Sequence, residues 1–192
     1  MLEEEYNPRR KLPAHLRAAP QPEPDFAFTV RDATPADIPY MREIYNHYVA
    51  NSTVTFDEDA LTLAEMRKKY KIVADLKYPW LVAVSPRGVV LGYAFVTPYR
   101  AKAAYRFTVE NSIYLGPAST GKGLGAALMK ELLVRAKTAG VKEVVAVIAD
   151  RGAEASIALH TRFGFTDIGH MGKVGFKFGR WLGTVLMQKS LK

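Results

Sequence analysis

The sequence predicts a mixed α/β domain in which helices flank a central, mostly antiparallel sheet. Three observations carry that expectation. Short alternating or apolar runs separated by brief turns fill the middle of the chain, a glycine-rich stretch then opens a helix, and an almost continuous apolar run, "KEVVAVIAD", follows that helix. Strands that succeed one another through short turns pair antiparallel.

At 192 residues, 48% of them hydrophobic, the chain has the length of a single domain and the apolar content for a core. Residues 1–25 hold Pro8, Pro13, Pro20, Pro22 and Pro24 among mixed charges, a composition that favours an extended, weakly structured tail. The domain is therefore expected over residues 26–192. The opening "MLEEEYNPRRKLP" is acidic before it is basic and has no apolar run, so neither a secretory signal nor a transit peptide is read in it. No segment approaches the ~18 apolar residues of a membrane helix, and no membrane association is expected. Cysteine is absent, which removes disulfides, thiolate metal sites and cysteine nucleophiles, and fits a cytoplasmic protein.

The elements follow in order. Phe26, Phe28 and Val30 alternate as in a strand, and Thr34 with Pro35 reads as the cap and first residue of a helix running to about Ala50. A second helix, Thr62 to Leu76, carries Leu63, Met66, Tyr70 and Val73 at three- and four-residue spacing. "WLVAV" and "GVVLGYAFVTPY" are strands joined by the turn "SPRG", and "YRFTVENSIYL" makes a third. From Lys122 to Thr138 a helix places Leu124, Leu128 and Leu132 on one face and ends at Gly140. "KEVVAVIAD" reads as a strand buried on both sides. A helix from Glu154 to Phe163 stops at Gly164, and "FTDIGHMGKVG" and "WLGTVLMQ" supply two final strands.

The net charge of +8 invites a nucleic-acid partner, because Lys and Arg release counterions from phosphate backbones. The basic residues are scattered, however, and positive charge serves a polyanionic small ligand equally well, so no nucleic-acid partner is expected. His15, His47, His160 and His170 are dispersed and no acidic cluster has ligand spacing, so no metal is expected either. No G-x-S-x-G elbow marks a serine hydrolase.

"GPASTGKGLG", Gly116 to Gly125, fits three phosphate-binding loops. An ATP-binding P-loop needs Ser or Thr after its Lys to hold magnesium, and Gly123 stands there. A dinucleotide fold needs parallel strands, whereas antiparallel ones precede this loop. What remains is a backbone cradle for the pyrophosphate of an acyl-coenzyme A, aided by the helix dipole, or a plain helix start in which the glycines serve turn geometry alone.

"TGKGLGAALM" after "ENSIYL", with "EASIALHTRFGF" beyond a buried strand, resembles the GCN5-related N-acetyltransferase family over Phe26 to Leu191. "IYNHYVANSTVTF", "YPWLVA", "PYRAKAAYRFTVENSIYL" and "VGFKFGRW" resemble its phosphinothricin and methionine sulfoximine acetyltransferase branch. The resemblance implies the acyl-CoA N-acyltransferase fold and acetyl-CoA as co-substrate, held by Thr120, Gly121, Lys122, Gly123, Leu124 and Gly125. It also implies a small amino-acid acceptor and a homodimer. The chain departs from the family at Thr120, usually Gln or Arg, at Ala153, usually Asn, and at Gly183, often Asp. A non-catalytic acyl-CoA binding module is the alternative that the first two departures leave open.

Acetyl transfer to an amine needs a base, an oxyanion donor and a protonated leaving thiol. Glu110 shares a strand face with Thr108 inside an apolar segment, so its carboxylate must be paired, with Arg106 or Lys102, or functional. By resemblance it is the base. His160 lies on the inward stripe of its helix with Ile157 and Phe163, which suits a satisfied core histidine; resemblance makes it an acid or proton relay for the thiolate. The resemblance also implies that a backbone N–H among Ile113, Tyr114 and Leu115, where the family splays its sheet, polarises the acetyl carbonyl. Tyr99, Arg100, Lys102 and Tyr105 set cations beside aromatics, as a carboxylate-bearing acceptor requires, though a solvated hairpin turn has the same composition. Val109 and Asn111 flank the base as further acceptor contacts, and Phe56 supplies an apolar wall. "GFKFGRW" is expected to fold over the acceptor pocket and meet a second subunit, with Trp181 as plain core the competing reading.

Overall fold

The computed structural model describes residues 26–192, so the expected tail over 1–25 lies outside the described residues. Four helices, α1 (Ile38–Asn51), α2 (Leu63–Asp75), α3 (Leu124–Thr138) and α4 (Glu154–Arg162), surround seven strands. These are β1 (Thr29–Asp32), β2 (Trp80–Val84), β3 (Val90–Pro98), β4 (Thr108–Leu115), β5 (Glu143–Ala149), β6 (Thr166–Lys177) and β7 (Arg180–Ser190). They form one sheet in the order β1-β2-β3-β4-β5-β7-β6, antiparallel throughout except between β4 and β5.

Local chemistry sets the boundaries. At α2 the Thr62 hydroxyl accepts from the Glu65 N–H (3.2 Å) while the Glu65 carboxylate accepts from the Thr62 N–H (2.8 Å), satisfying two orphan donors reciprocally. The Pro35 turn is a 3-10 turn over Pro35–Asp37, and α1 follows at Ile38. Asp37 holds that tight turn by accepting from the Thr34 N–H (2.8 Å) and from Arg31 Nη1 and Nη2 (2.7 and 2.8 Å). The third strand starts at Thr108 instead of Tyr105, because Ala103–Tyr105 closes a 3-10 turn with the Tyr105 N–H on the Lys102 carbonyl (2.9 Å).

Strand alternation divides the core in two. Trp80 and Val82 of β2, Tyr93 and Phe95 of β3 and Tyr114 of β4 face α1 and α2. Leu81, Ala83, Ala94, Val96 and Val109, one residue out of phase, face α3 with its Leu124, Leu128 and Leu132. The central strands β2, β3 and β4 therefore pack on both faces, α1 and α2 covering one and α3 the other.

Pairing between β4 and β5 covers only Thr108↔Glu143, Val109↔Val144 and Glu110↔Val145. Beyond Glu110, β4 continues against β3 to Leu115, whereas β5 continues against β7 to Ala149. The two central strands thus diverge in the middle of the sheet. Val147, expected to be buried on both sides, is 37% exposed where they part.

Candidate active site

A cavity of about 360 Å³ occupies the gap between the diverging strands and reaches the start of α3 and the inner face of α4. Backbone parity decides what faces it. The Phe107 carbonyl accepts from the Glu143 N–H on the β5 side (3.1 Å), and the Thr108 carbonyl from the Tyr99 N–H on the β3 side (3.1 Å). Alternation then turns the N–H groups of Ile113 and Leu115 toward the gap, and the Tyr114 backbone toward β3. The Leu115 carbonyl is taken by the Tyr48 hydroxyl (2.8 Å), a contact from α1 that no sequence motif announced. Of the expected trio, Ile113 and Leu115 can present amides to a ligand; Tyr114 instead sends its ring into the aromatic layer with Tyr93 (5.4 Å between centroids).

At the helix start, Gly121 (φ 73°) and Gly123 (φ 83°) both occupy the left-handed region, which delays α3 to Leu124. The first intrahelical bond runs from the Ala127 N–H to the Gly123 carbonyl (3.1 Å), so the N–H groups of Leu124, Gly125 and Ala126 have no helical partner. The Leu124 side chain is fully buried, leaving only its backbone for a ligand. Thr120 and Gly125 line the cavity. Lys122 is exposed, its ammonium 4.2 Å from the centre of the Phe26 ring. Donors and dipole converge here as an anion site requires.

Glu110 shares the face of Tyr114, toward α1 and α2. Among the described residues its carboxylate makes no hydrogen bond and no ion pair. The structural alternative is not realised: Arg106 lies over the Phe107 ring (4.5 Å) and donates to the Ala103 carbonyl, and Lys102 is exposed. Burial pushes the Glu110 carboxyl up from its ordinary value, and the charges of Arg100 and Lys69 pull it part of the way back. Arg100 stacks on Tyr99 (4.4 Å), which meets Tyr105 edge-on (5.9 Å). Lys69 was invisible in the sequence, one cation in the run "RKKYK" of α2. Its ammonium lies 5.2 Å from the Tyr45 ring and 5.3 Å from that of Phe95.

Phe56 is pressed by the β6–β7 hairpin, where a Cβ on Gly175 would sit 2.5 Å from its ring. Lys177 of the same hairpin, 2% exposed, donates to the carbonyls of Ser52 (2.9 Å) and Thr55 (2.8 Å) and so ties the hairpin to the loop that carries Phe56. In that loop the Tyr45 hydroxyl bonds to Thr55 Oγ1 (3.1 Å) and to the Asp57 carboxylate. Trp181 is 56% exposed against Phe176, so it is not a core residue. Gly183 leaves no space for the Asp often found there: the Asp150 carboxylate already fills the place, accepting from the Gly183 N–H (3.0 Å) and contacting His170 Nε2 (3.1 Å).

Val109 and Asn111 differ from the acceptor contacts expected of them. Both side chains leave the α3 and α4 face of β4, opposite to Glu110. Val109 is sealed in the core below α3. Asn111 meets His160, with Asn111 Nδ2 3.0 Å from His160 Nε2. His160 Nδ1 lies 2.7 Å from the Ser156 carbonyl one turn back, and its ring packs edge-on against Phe165 (4.8 Å). A carbonyl only accepts, so Nδ1 carries the proton and Nε2 of the neutral ring is bare. Burial lowers the His160 pKa and favours that neutral form.

A sheet parted at its centre, with a glycine-rich helix start at the mouth of the gap, defines an acyltransferase. The Acetyltransferase (GNAT) family matches residues 41–165. Phosphinothricin N-acetyltransferase of Alcaligenes faecalis is 42% identical over 165 residues, covering 86% of this chain and 83% of that protein. L-methionine sulfoximine/L-methionine sulfone acetyltransferase of Pseudomonas aeruginosa is 42% identical over 163 residues, covering 85% and 94%. The crystal structure of a GNAT superfamily phosphinothricin acetyltransferase from Sinorhizobium meliloti in complex with AcCoA matches with a TM-score of 0.82 at 44% identity, covering 85% of this chain and 88% of that one. The chain belongs to the GNAT family of acetyltransferases, and the fold and class expected from its sequence are borne out.

Proposed function

We propose that the protein transfers acetyl from acetyl-CoA to the amino group of a small amino acid or analogue of the phosphinothricin or methionine sulfoximine type, by direct attack of the amine on the thioester. The observation that carries this reading is the Glu110 carboxylate, unpaired among the described residues, on the acceptor face of a strand whose other face lines the cavity behind the α3 start.

Acetyl-CoA supplies the activated acyl group. The free N–H groups at the start of α3 hold its pyrophosphate, and the Ile113 or Leu115 amide draws charge onto the acetyl oxygen. Glu110 removes a proton from the ammonium of the acceptor, directly or through a water, a task eased by the burial that raises its pKa. Arg100 offers a bidentate partner for a carboxylate, Tyr99, Tyr105 and Phe56 form apolar walls, and Lys102 adds positive charge at the rim. His160 enters as a residue that positions Asn111. The acid role implied by resemblance needs a proton on Nε2, which its tautomer withholds, so the second proton of the attacking nitrogen passes to the departing thiolate, directly or through a water, as the C–S bond breaks.

A cytoplasmic location and a homodimer belong to the same reading, with no nucleic-acid partner. Val174, Phe176, Phe178 and Trp181 stand exposed on the β6–β7 hairpin and suit contact with a second copy. Among the described residues no helix is long and apolar enough to cross a membrane.

Thiol release on mixing acetyl-CoA with a panel of amino acids tests the activity, and release is expected with acceptors bearing a second polar oxygen group. Binding of acetyl-CoA without release for any amine would leave the non-catalytic binding module instead.

A further inference from the structure

Asn111 is 6% exposed and lines the cavity, yet among the described residues its Oδ1 has no hydrogen-bond partner. A buried amide oxygen left unpaired costs stability, so its orientation needs a cause. His160 supplies one. Ser156 O obliges Nδ1 to carry the proton, the bare Nε2 then requires a donor, and the only donor of an asparagine side chain is Nδ2. Turning the amide over would set Oδ1 against Nε2, two acceptors face to face. The histidine therefore holds Oδ1 free for something else.

We infer that Asn111 Oδ1 receives the amide N–H nearest the thioester in the pantetheine arm of the acyl carrier, with His160 as the positioning residue that aims it. The inference rests on the acyl-CoA reading above. An acceptor oxygen needs a donor, and the thioester sulfur and carbonyl have none. The ammonium of the incoming amino acid belongs with Glu110 on the opposite face of β4. The arm entering from the α3 start lies on the Asn111 face, and its amides carry the N–H donors. Ala153, in the same cavity, has no polar side chain to offer that arm.

The test compares the calorimetric affinity of coenzyme A with that of an analogue in which this one amide N–H is replaced by an ester oxygen, for the wild-type protein and for Asn111→Leu. The wild type is expected to prefer the amide by roughly ten- to a hundredfold, and Asn111→Leu to bind both within about threefold of each other. The ratio is taken within one protein, so a loss of folded fraction cancels. A preference retained in Asn111→Leu, or absent from the wild type, overturns the inference. ¹⁵N NMR of the wild-type histidines checks its premise, which fails if the proton of His160 resides on Nε2. No heat with either ligand would overturn the acyl-carrier reading itself.

Discussion

Glu110 and Asn111 are neighbours in β4 whose side chains leave opposite faces of the sheet, one toward Lys69 and the tyrosines of the α1 side, the other onto His160 of α4. In an intact sheet these two environments would never communicate. Here they do, because β4 and β5 separate immediately after Glu110↔Val145. The period of the strand assigns acceptor chemistry to one face and carrier binding to the other, and the gap joins them.

Glu110→Gln should lower kcat by roughly 10²–10⁴, the usual contribution of a general base. Because Glu110 faces away from the α3 start, the affinity for acetyl-CoA measured by calorimetry should stay unchanged. Turnover equal to wild type would remove Glu110 from the mechanism.

The acidic limb of kcat/KM should move to higher pH in Arg100→Gln and in Lys69→Met. Burial raises the Glu110 pKa and these two cations lower it, so removing either positive charge makes the carboxylate harder to form and the base is lost earlier as pH falls. Lys69→Met is the cleaner test, since Arg100 also serves acceptor binding. A limb that moves to lower pH, or not at all, in Lys69→Met would refute this assignment of the limb.

Gly123→Val forces a β-branched residue to φ 83°, where the left-handed region costs about 1–2 kcal/mol for an L-residue. The α3 start should distort, raising KM for acetyl-CoA while leaving KM for the acceptor near wild type. Equal rises in both would show that the loop does not serve the carrier alone.

Lys177→Met strips donors from the Ser52 and Thr55 carbonyls, at about 1–3 kcal/mol for each buried group left unpaired. A lower melting temperature is expected, together with a raised KM for the acceptor, because the loop carrying Phe56 loses its tie to the hairpin. A thermal loss with an unchanged acceptor KM would make Lys177 purely structural.

Much of this was legible in the chain. Hydrophobic spacing and the residues Thr62, Gly140 and Gly164 located α2, α3 and α4 to within two residues, and α1 to within three, because caps and periodicity are local properties. The glycine motif and Glu110 stood out because each breaks a local rule: a run of glycines at a helix start, and a charge in an apolar strand. The positions of Lys69 and Lys177 were not legible, since a lysine in a basic helix and a lysine in a hairpin look like solvent-facing charges until packing surrounds them.

By itself the sequence determined the order of elements, the helix start that awaits an anion, and the strand that presents a carboxylate. Only the tertiary structure decided which face each side chain serves. It separated Asn111 from the acceptor side, withheld a proton from His160 Nε2, and opened β4 from β5. Strand alternation is written in one chain segment, but the partner that meets each face is chosen by long-range packing, through contacts such as those of β4 with α4 and of the Phe56 loop with the β6–β7 hairpin.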